Sequence, residues 1–280
     1  MIRTIVFSRD RAAQLDLLLR SLALNAPTLL ADCHVLWDAK RNTFFDGYDV
    51  AKTEWPDVVW HGQNKLRLDS DLIRTLRSTP DGHHVVFLTD DSVVYRPLPY
   101  SDPETVLDED EHILTFSLRL GRNTTRCYPH NRDQALPVFG DEGDYIAWAW
   151  RMADGDFGYP GSLDGHIFRK EDLVWCLHQT HGRDPARYWC TPNQVEDALM
   201  QKIVLSSREL MASYPESVLV GVPVNRSNEE THTTNRFGVT HARDLLALNE
   251  AYLAGGRLSL DSVRADEVDG AHAEFALELA

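Results

Sequence analysis

The chain has few cysteines, and they lie far apart. Four cysteines occur in 280 residues, and Cys33, Cys127, Cys176 and Cys190 include no Cys-x-x-Cys pair. This pattern excludes the usual zinc-site spacings and a dense disulfide framework. No apolar run approaches the ~20 residues that span a bilayer, and the first residues enter a predicted strand at once, which leaves no signal peptide. We therefore expect a cytoplasmic protein without a membrane span.

Basic residues are also scarce relative to acidic ones. The sequence has 28 Lys and Arg against 43 Asp and Glu, which gives a formal net charge of −15. Such a field argues against binding to nucleic acid or anionic membranes, although a local cleft could override it. A polyanionic substrate would have to enter through a local basic pocket. Hydrophobic residues make up 43% of the chain, enough for a sizeable core.

What the sequence does contain is an alternation of predicted strands and helices. Strands are predicted at 4–8, 33–38, 57–61, 83–89, 112–120, 144–150 and 219–224, and helices at about 12–22, 65–77, 170–177, 193–203 and 245–253. We interpret residues 96–111 as connecting surface, 121–143 as a long loop, and the segment from about 261 as a peripheral helix or partly loose tail. The alternation predicts an α/β fold with a mostly parallel, doubly wound sheet.

The most informative stretch is the apolar run that ends in Asp90 and Asp91. A continuous apolar run suits a strand buried on both faces, and ligands of open α/β sheets bind beyond the carboxyl ends of such strands. If this pair is extended, its side chains point to opposite faces, so that only one carboxylate reaches a cation. That division suits Mg²⁺ or Mn²⁺ carrying a diphosphate. The competing interpretation is a simple turn, which Asp also favours.

A second acidic pair, Glu196-Asp197, begins a predicted amphipathic helix. Asn193 as N-cap with Glu196 three residues later forms a capping box, which would account for Glu196 without any catalytic role. Asp197 is not explained by that box, although the helix dipole favours an acid there in any case. Both acids are therefore candidates for catalysis or for simple helix capping.

Further candidates lie in loops. Arg9 and Arg11 follow the first strand and could meet a phosphate or nucleobase, or serve as solvated charges at a helix start. Residues 225–238 are polar and include His232, a possible metal ligand, and Arg236, a possible phosphate ligand, in what could equally be a solvated loop. The aromatic residues of 144–169 could stack on a sugar ring or pack in the core.

Taken together, these motifs resemble the GT-A fold glycosyltransferases, especially the inverting, family-2-like enzymes that use nucleotide sugars. Thr89-Asp90-Asp91 resembles their D-x-D-type motif in an x-D-D form, Glu196-Asp197 resembles the x-E-D motif, and 161–165 resembles the glycine-bearing loop before it. The resemblance covers about 2–206. A full Asp-x-Asp and the Gln/Arg-x-x-Arg-Trp of processive synthases are absent. The resemblance implies a catalytic domain over 1–240 and a C-terminal helical extension over 241–280. Within the catalytic domain it implies a nucleotide-binding half at about 1–100 and an acceptor half at about 101–240.

The resemblance also implies roles for individual residues. The predicted cation ligands for Mn²⁺ or Mg²⁺ are Asp91 and His232, and Asp197 is the predicted base, with Asp164 and Glu196 as further catalytic candidates. The predicted donor-binding residues are Phe7, Ser8, Arg9, Arg11, Asp90 and Arg236. The implied partners are a nucleotide-diphosphate sugar as donor and a carbohydrate or other hydroxyl acceptor.

Three alternatives remain open from the sequence. A sugar nucleotidyltransferase would share the sheet and the acids, but the loop at 7–11 lacks the glycines expected of its phosphate loop. A nucleotide- or carbohydrate-binding module would keep the fold without turnover. A glycosyltransferase acting on modified DNA bases is disfavoured by the net charge.

Overall fold

The protein was analysed as a computed structural model that describes residues 1–62, 68–100, 102–181, 189–225 and 239–280, without the side chains of 178–181. The strands are β1 Ile2–Arg9, β2 Cys33–Asp38, β3 Val59–Gly62, β4 His84–Thr89, β5 Ser92–Val94, β6 Ile113–Ser117, β7 Arg126–Cys127, β8 Arg132–Asp133, β9 Gly140–Asp141, β10 Ile146–Ala149, β11 His166–Arg169, β12 Leu210–Ser213 and β13 Leu219–Gly221. The helices are α1 Ala12–Asn25, α2 Pro27–Leu30, α3 Asn42–Glu54, α4 Leu68–Ser78, α5 Pro103–Glu109, α6 Lys170–His181, α7 Pro192–Ile203 and α8 Leu245–Leu253.

Nine of these strands form one central sheet in the order β3-β2-β1-β4-β11-β6-β12-β10-β9. The half formed by β3, β2, β1 and β4 is parallel throughout. In the other half β12 pairs with β6 in parallel, whereas β11, β10 and β9 bring antiparallel pairings. The predicted α/β class, with a largely parallel sheet flanked by helices, is confirmed.

The sheet is covered on both faces, and β1 shows how its sequence fits that position. The side chains of Ile5 and Phe7 pack into one apolar cluster with α4, α6 and α7, while Val6 packs into the other with α1 and α3. Successive side chains of a strand point to opposite faces, so an unbroken apolar run is what a doubly covered strand requires. The leucines of α1 at helical spacing, Leu15 and Leu18 among them, are fully buried against this sheet.

Some local predictions were wrong. The region interpreted as connecting surface contains α5, which Asp102 caps by accepting the N–H of Glu104. The predicted long loop of 121–143 contains the short strands β7, β8 and β9. Strands β11 and β12 and helix α3 were not predicted, because short elements with mixed composition give weak periodicity.

The segment after α8 is neither a peripheral helix nor a loose tail. It forms two short 3₁₀ turns at Leu260–Ser262 and Ala265–Glu267 and then runs extended, with Phe275 and Leu277 buried. Gly221 at the end of β13 donates its N–H to the carbonyl of Ala271 and accepts the N–H of Ala273. Alternating apolar residues let this segment pack as an extra strand-like layer. The division of the chain at about residue 240 stays a prediction.

Candidate active site

A cavity of about 470 Å³ opens at the carboxyl ends of β1, β2 and β4. Its lining comes from both predicted halves of the chain and from the C-terminal segment. The first half contributes Phe7, Ser8, Arg9, Arg11, Leu36, Asp38, Leu68 and Thr89-Asp90-Asp91, and the rest of the chain contributes Arg119, Cys127-Tyr128-Pro129-His130, Gly155, Asp156, Tyr159, Ser162-Leu163-Asp164, Cys190, Pro192, Asn193, Glu196, Pro223, Asn225 and His272. The position agrees with the rule that ligands of α/β sheets bind beyond the carboxyl strand ends.

Asp90 and Asp91 form a two-residue turn between β4 and β5, so of the two arrangements left open by the sequence the structure has the turn and not the extended pair. In this turn both carboxylates reach the same nitrogen. Arg11 Nη1 lies 2.9 Å from Asp90 Oδ1 and 3.1 Å from Asp91 Oδ2. Asp90 also accepts the backbone N–H of Arg9 at 3.0 Å. The strand end and the acids were thus predicted, but not their convergence.

The two carboxylates of the turn differ in their surroundings. Asp90 is 4% exposed, and burial raises its pKa to about 6, with the neighbouring Asp91 adding to the shift and Arg11 opposing it. The Asp91 side chain is 21% exposed. Asp91 is therefore the carboxylate of the pair more open to a ligand in the cavity.

Arg9 and Arg11 diverge because the residue between them has a left-handed backbone. Asp10 has φ +61°, a conformation that Asp tolerates better than most residues, and its carboxylate accepts the N–H of Lys40 at 2.7 Å. Arg9 Nε lies 3.3 Å from Asp38 Oδ2 at the end of β2, whereas Arg11 turns to the acidic turn. Both arginines line the cavity, and neither is a purely solvated charge.

Asp164 links the glycine-bearing loop to the acidic turn. Its Oδ1 accepts the Ser92 hydroxyl at 2.6 Å and its Oδ2 lies 3.2 Å from both Arg119 Nη1 and His272 Nε2. Burial opposes ionisation of Asp164, but the hydrogen bond from His272 and the charge of Arg119 outweigh it and hold its pKa well below the usual range. Gly165, at φ +81°, makes the sharp turn that follows. A carboxylate stabilised this strongly is a poor proton acceptor.

Of the second acidic pair, Glu196 lines the cavity and Asp197 does not. Glu196 is partly buried and accepts the N–H of Leu163 at 3.2 Å, while Asp197 is exposed. Burial raises the pKa of Glu196, and Arg119 and the bond from Leu163 only partly oppose this shift. A partly buried carboxylate with a raised pKa accepts a proton more readily than an ordinary one.

The capping box predicted at Asn193 and Glu196 was wrong. Helix α7 is capped two residues earlier, where Thr191 accepts the N–H of Gln194 and the Gln194 side chain accepts the N–H of Thr191. Pro192 at the first helical position suits this start. The predicted apolar face of α7, including Val195 and Leu199, is buried. Glu196 is consequently not used as a cap, and its carboxylate is left to the cavity.

Most of the aromatic residues considered for sugar stacking belong to the core. Trp148, Trp150 and Phe157 are at most 4% exposed, and Trp148 donates its indole N–H to the Phe157 carbonyl at 2.9 Å. Tyr159 differs, since it is partly exposed and lines the cavity. Burial, together with the charge of Glu196, raises its pKa. Tyr159 is the aromatic residue of this loop that is available for stacking.

Two residues of the site, Arg119 and His272, were not found from the sequence. Arg119 is 4% exposed and lies between Asp164 and Asp156, 3.4 Å from the latter. His272 comes from the C-terminal segment that the sequence marked as peripheral. The signal for Arg119 was a lone charge in an otherwise apolar strand end; no local pattern pointed to His272.

His232 and Arg236 lie outside the described residues. Within the described ranges, no three His, Cys, Asp or Glu side chains are grouped to hold a metal ion by themselves. Mg²⁺ and Mn²⁺ that carry a diphosphate need only one or two protein carboxylates. Asp91, exposed to the cavity and with one oxygen engaged by Arg11, fits that smaller requirement. Among the helices that the structure describes, none has the length and hydrophobicity of a membrane-spanning segment.

The chain is similar to known proteins over part of its length. No family model matches it. A bifunctional glycosyltransferase, pgtA of Dictyostelium discoideum, is 25% identical over an alignment of 190 positions that covers 61% of this chain and 24% of pgtA. The chain thus spans about a quarter of the length of that curated relative.

Solved structures give likenesses of low identity. Staphylococcus aureus TarS aligns with 81% of this chain and 37% of its own, at a TM-score of 0.47 and 13% identity. A TarS 1–349 complex with UDP covers 78% and 59%, at a TM-score of 0.44 and 13% identity. The bifunctional glycosyltransferase WbbM covers 71% and 37%, at a TM-score of 0.33 and 14% identity. The predicted resemblance to glycosyltransferases is confirmed by the similarity to pgtA.

Proposed function

We propose that this chain is a glycosyltransferase that moves a sugar from a nucleotide-diphosphate sugar to a hydroxyl acceptor in the cavity between β1, β4 and α7. The observation that carries the proposal is the meeting of two separated acidic groups in one cavity. The Asp90-Asp91 turn and Glu196 both line it, although they lie far apart in the sequence. The similarity to pgtA and the UDP complex of TarS agree with a nucleotide-sugar donor.

The nucleotide is assigned to the β1 side of the cavity. Phe7, Ser8 and Arg9 border the nucleoside there, and Asp90, fixed by the N–H of Arg9 and by Arg11, shapes the turn. Asp91 would hold Mn²⁺ or Mg²⁺, and the bound cation would stabilise the charge of the departing diphosphate. His232 and Arg236 remain candidates for the cation and the diphosphate.

Glu196 is assigned as the general base, in place of Asp197, which the sequence favoured. Glu196 takes the proton of the acceptor hydroxyl, and the oxygen attacks the anomeric carbon as its bond to the diphosphate breaks. One in-line displacement inverts the anomeric centre. The raised pKa of Glu196 suits this role, whereas Asp164, held ionised by Arg119 and His272, fits a positioning role.

The test is a screen of UDP, GDP, CDP and dTDP sugars with and without Mn²⁺. A ligand that binds the native state raises the melting temperature, by an amount set by its concentration relative to Kd. The donor identified in this way is then incubated alone and with simple sugars, and release of nucleoside diphosphate is measured. Release supports a transferase, a thermal shift without release identifies a binding module, and the absence of any shift contradicts the proposal.

A further inference from the structure

We propose that Arg11 couples cation binding to diphosphate binding, because its guanidinium and a divalent cation compete for the Asp91 carboxylate. A diphosphate that takes over the guanidinium leaves Asp91 to the cation. The diphosphate part of this inference rests on the proposed function, but the competition for Asp91 does not.

All three guanidinium nitrogens of Arg11 donate hydrogen bonds. A single nitrogen, Nη1, bridges Asp90 Oδ1 at 2.9 Å and Asp91 Oδ2 at 3.1 Å. On the other side, Nε donates to Asn225 Oδ1 at 2.9 Å and Nη2 donates to the Asn225 carbonyl. The contacts on both sides fix the guanidinium beside the acidic turn. Asp91 therefore meets a fixed positive charge at hydrogen-bond distance.

The burial of these groups makes the competition significant. The Arg11 side chain is 11% exposed and that of Asp90 is 5% exposed, so their attraction is weakly screened. A cation approaching Asp91 is repelled by this guanidinium and must also break its bond to Asp91. Asp90 cannot take the place of Asp91, because it is more deeply buried and holds the Arg9 N–H as well.

A diphosphate can release Asp91 because its oxygens are strong acceptors for a guanidinium. A phosphate oxygen can accept the Nη1 hydrogen bond that Asp91 now accepts, so this contact can be exchanged without leaving the charge of Arg11 unpaired. Binding free energies at two linked sites are reciprocal. A bound diphosphate should therefore increase the affinity of Asp91 for the cation in two ways. Its own oxygens bind the cation, and it removes Arg11 from Asp91. The second contribution should disappear when Arg11 is replaced.

The test is Mn²⁺ affinity in the full chain, measured as loss of the free Mn²⁺ signal in electron paramagnetic resonance, with no nucleotide present. Only binding that Asp91→Asn removes is counted. We expect Arg11→Gln to bind Mn²⁺ about tenfold or more tightly than the wild type, since the competing charge-assisted bond is gone. Arg9→Gln is the matched control. Arg9→Gln removes one positive charge from the same cavity, but the carboxylate that loses its ion pair is Asp38 and not Asp91. Its Mn²⁺ affinity should therefore rise by less than about threefold.

Adding UDP gives the second arm. We expect UDP to tighten Mn²⁺ binding more in the wild type than in Arg11→Gln. Arg11→Lys, which keeps a charge beside Asp91, should bind Mn²⁺ alone as weakly as the wild type. If circular dichroism shows that Arg11→Gln does not fold, Arg11→Lys is used in its place. Tight Mn²⁺ binding by Arg11→Lys would then overturn the proposal.

An unchanged Mn²⁺ affinity in Arg11→Gln, or an equal gain in Arg9→Gln, would refute the competition. The nucleotide-free arm separates this result from the proposed function. If no sugar nucleotide is turned over but the Arg11 effect on Mn²⁺ persists, glycosyl transfer fails and the competition stands.

Discussion

Replacing Glu196 with Gln should remove turnover and leave the fold and donor binding in place. The amide keeps the size of the side chain and an oxygen that can accept the Leu163 N–H, which Glu196 accepts at 3.2 Å. The amide loses a charge-assisted bond, but it also removes a buried charge that the fold disfavours, as the raised pKa of Glu196 shows. The free energy of unfolding should therefore change by no more than about 1 kcal/mol, and the melting temperature by no more than a few degrees. The amide cannot take a proton from a hydroxyl, so the loss should fall on the chemical step.

The expected size of the loss follows from the role of a positioned base, which contributes about 10²- to 10⁴-fold. We expect kcat for nucleoside diphosphate release to an acceptor to fall by that range. The donor Kd, measured by thermal shift, should change by less than about threefold. Asp197→Asn is the matched control, because this neighbouring acid is exposed and lies off the cavity. Its rate should stay within about threefold, because a carboxylate outside the cavity is out of reach of the acceptor hydroxyl.

The pair of variants discriminates between two bases. If Asp197→Asn lost about a hundredfold while Glu196→Gln stayed active, the base would be Asp197 and the argument from burial and cavity lining would be refuted. If both variants kept full activity, neither acid would take part in the chemistry.

Other expected results concern stability and pH. Asp164→Asn should lower the free energy of unfolding by about 3 to 5 kcal/mol in urea titrations, because it removes a charged partner of the buried Arg119. Asp49→Asn, which breaks an exposed ion pair, should cost less than about 1 kcal/mol. Since its pKa is lowered in the folded state, the contribution of Asp164 is present above its ordinary pKa and should shrink as pH falls below about 4. As pH is lowered, the rate should begin to fall at a pH above the ordinary pKa of a Glu carboxyl, because the base must be ionised and burial raises the pKa of Glu196. Glu196→Gln should lack this pH dependence. A fall in rate at the ordinary Glu pKa would contradict the assignment. Gly121→Ala should cost about 1 to 3 kcal/mol in the same titrations, since a Cβ there would lie 2.5 Å from a neighbouring backbone nitrogen; an unchanged stability would show that this turn can move.

The strand end that carries Asp90 and Asp91 could be predicted because it depends on local pattern alone. An apolar run followed by acids marks both a buried strand and its ligand edge. Their convergence on Arg11 could not be predicted, because it depends on a two-residue turn into β5 and on a left-handed Asp10 that redirects Arg11. The sequence allowed the turn as one of two interpretations, but the left-handed backbone of Asp10 has no distinct signature there.

The error at α7 has a different origin. Thr191 with Gln194, and Asn193 with Glu196, are both capping patterns, and the sequence places them two residues apart. The Pro192 that follows Thr191 favours the earlier cap, which the structure uses. Choosing the later cap assigned Glu196 a structural role and moved the base to its neighbour.

His272 shows where sequence reasoning ends. It reaches Asp164 from more than a hundred residues away, through an extended segment fixed by the end of β13. Contacts of this kind depend on the packing of the whole chain. No local periodicity or motif encodes them.

The central claim is that the acidic turn and Glu196 serve one reaction from two sides of one cavity. The most direct measurement is a crystal structure of the full chain with Mn²⁺ and the nucleotide sugar identified by the screen. We expect the diphosphate beside Asp91 and the anomeric carbon of the sugar facing the Glu196 carboxylate across a space wide enough for an acceptor hydroxyl. A nucleotide sugar bound outside this cavity, or one whose sugar points away from Glu196, would contradict the account.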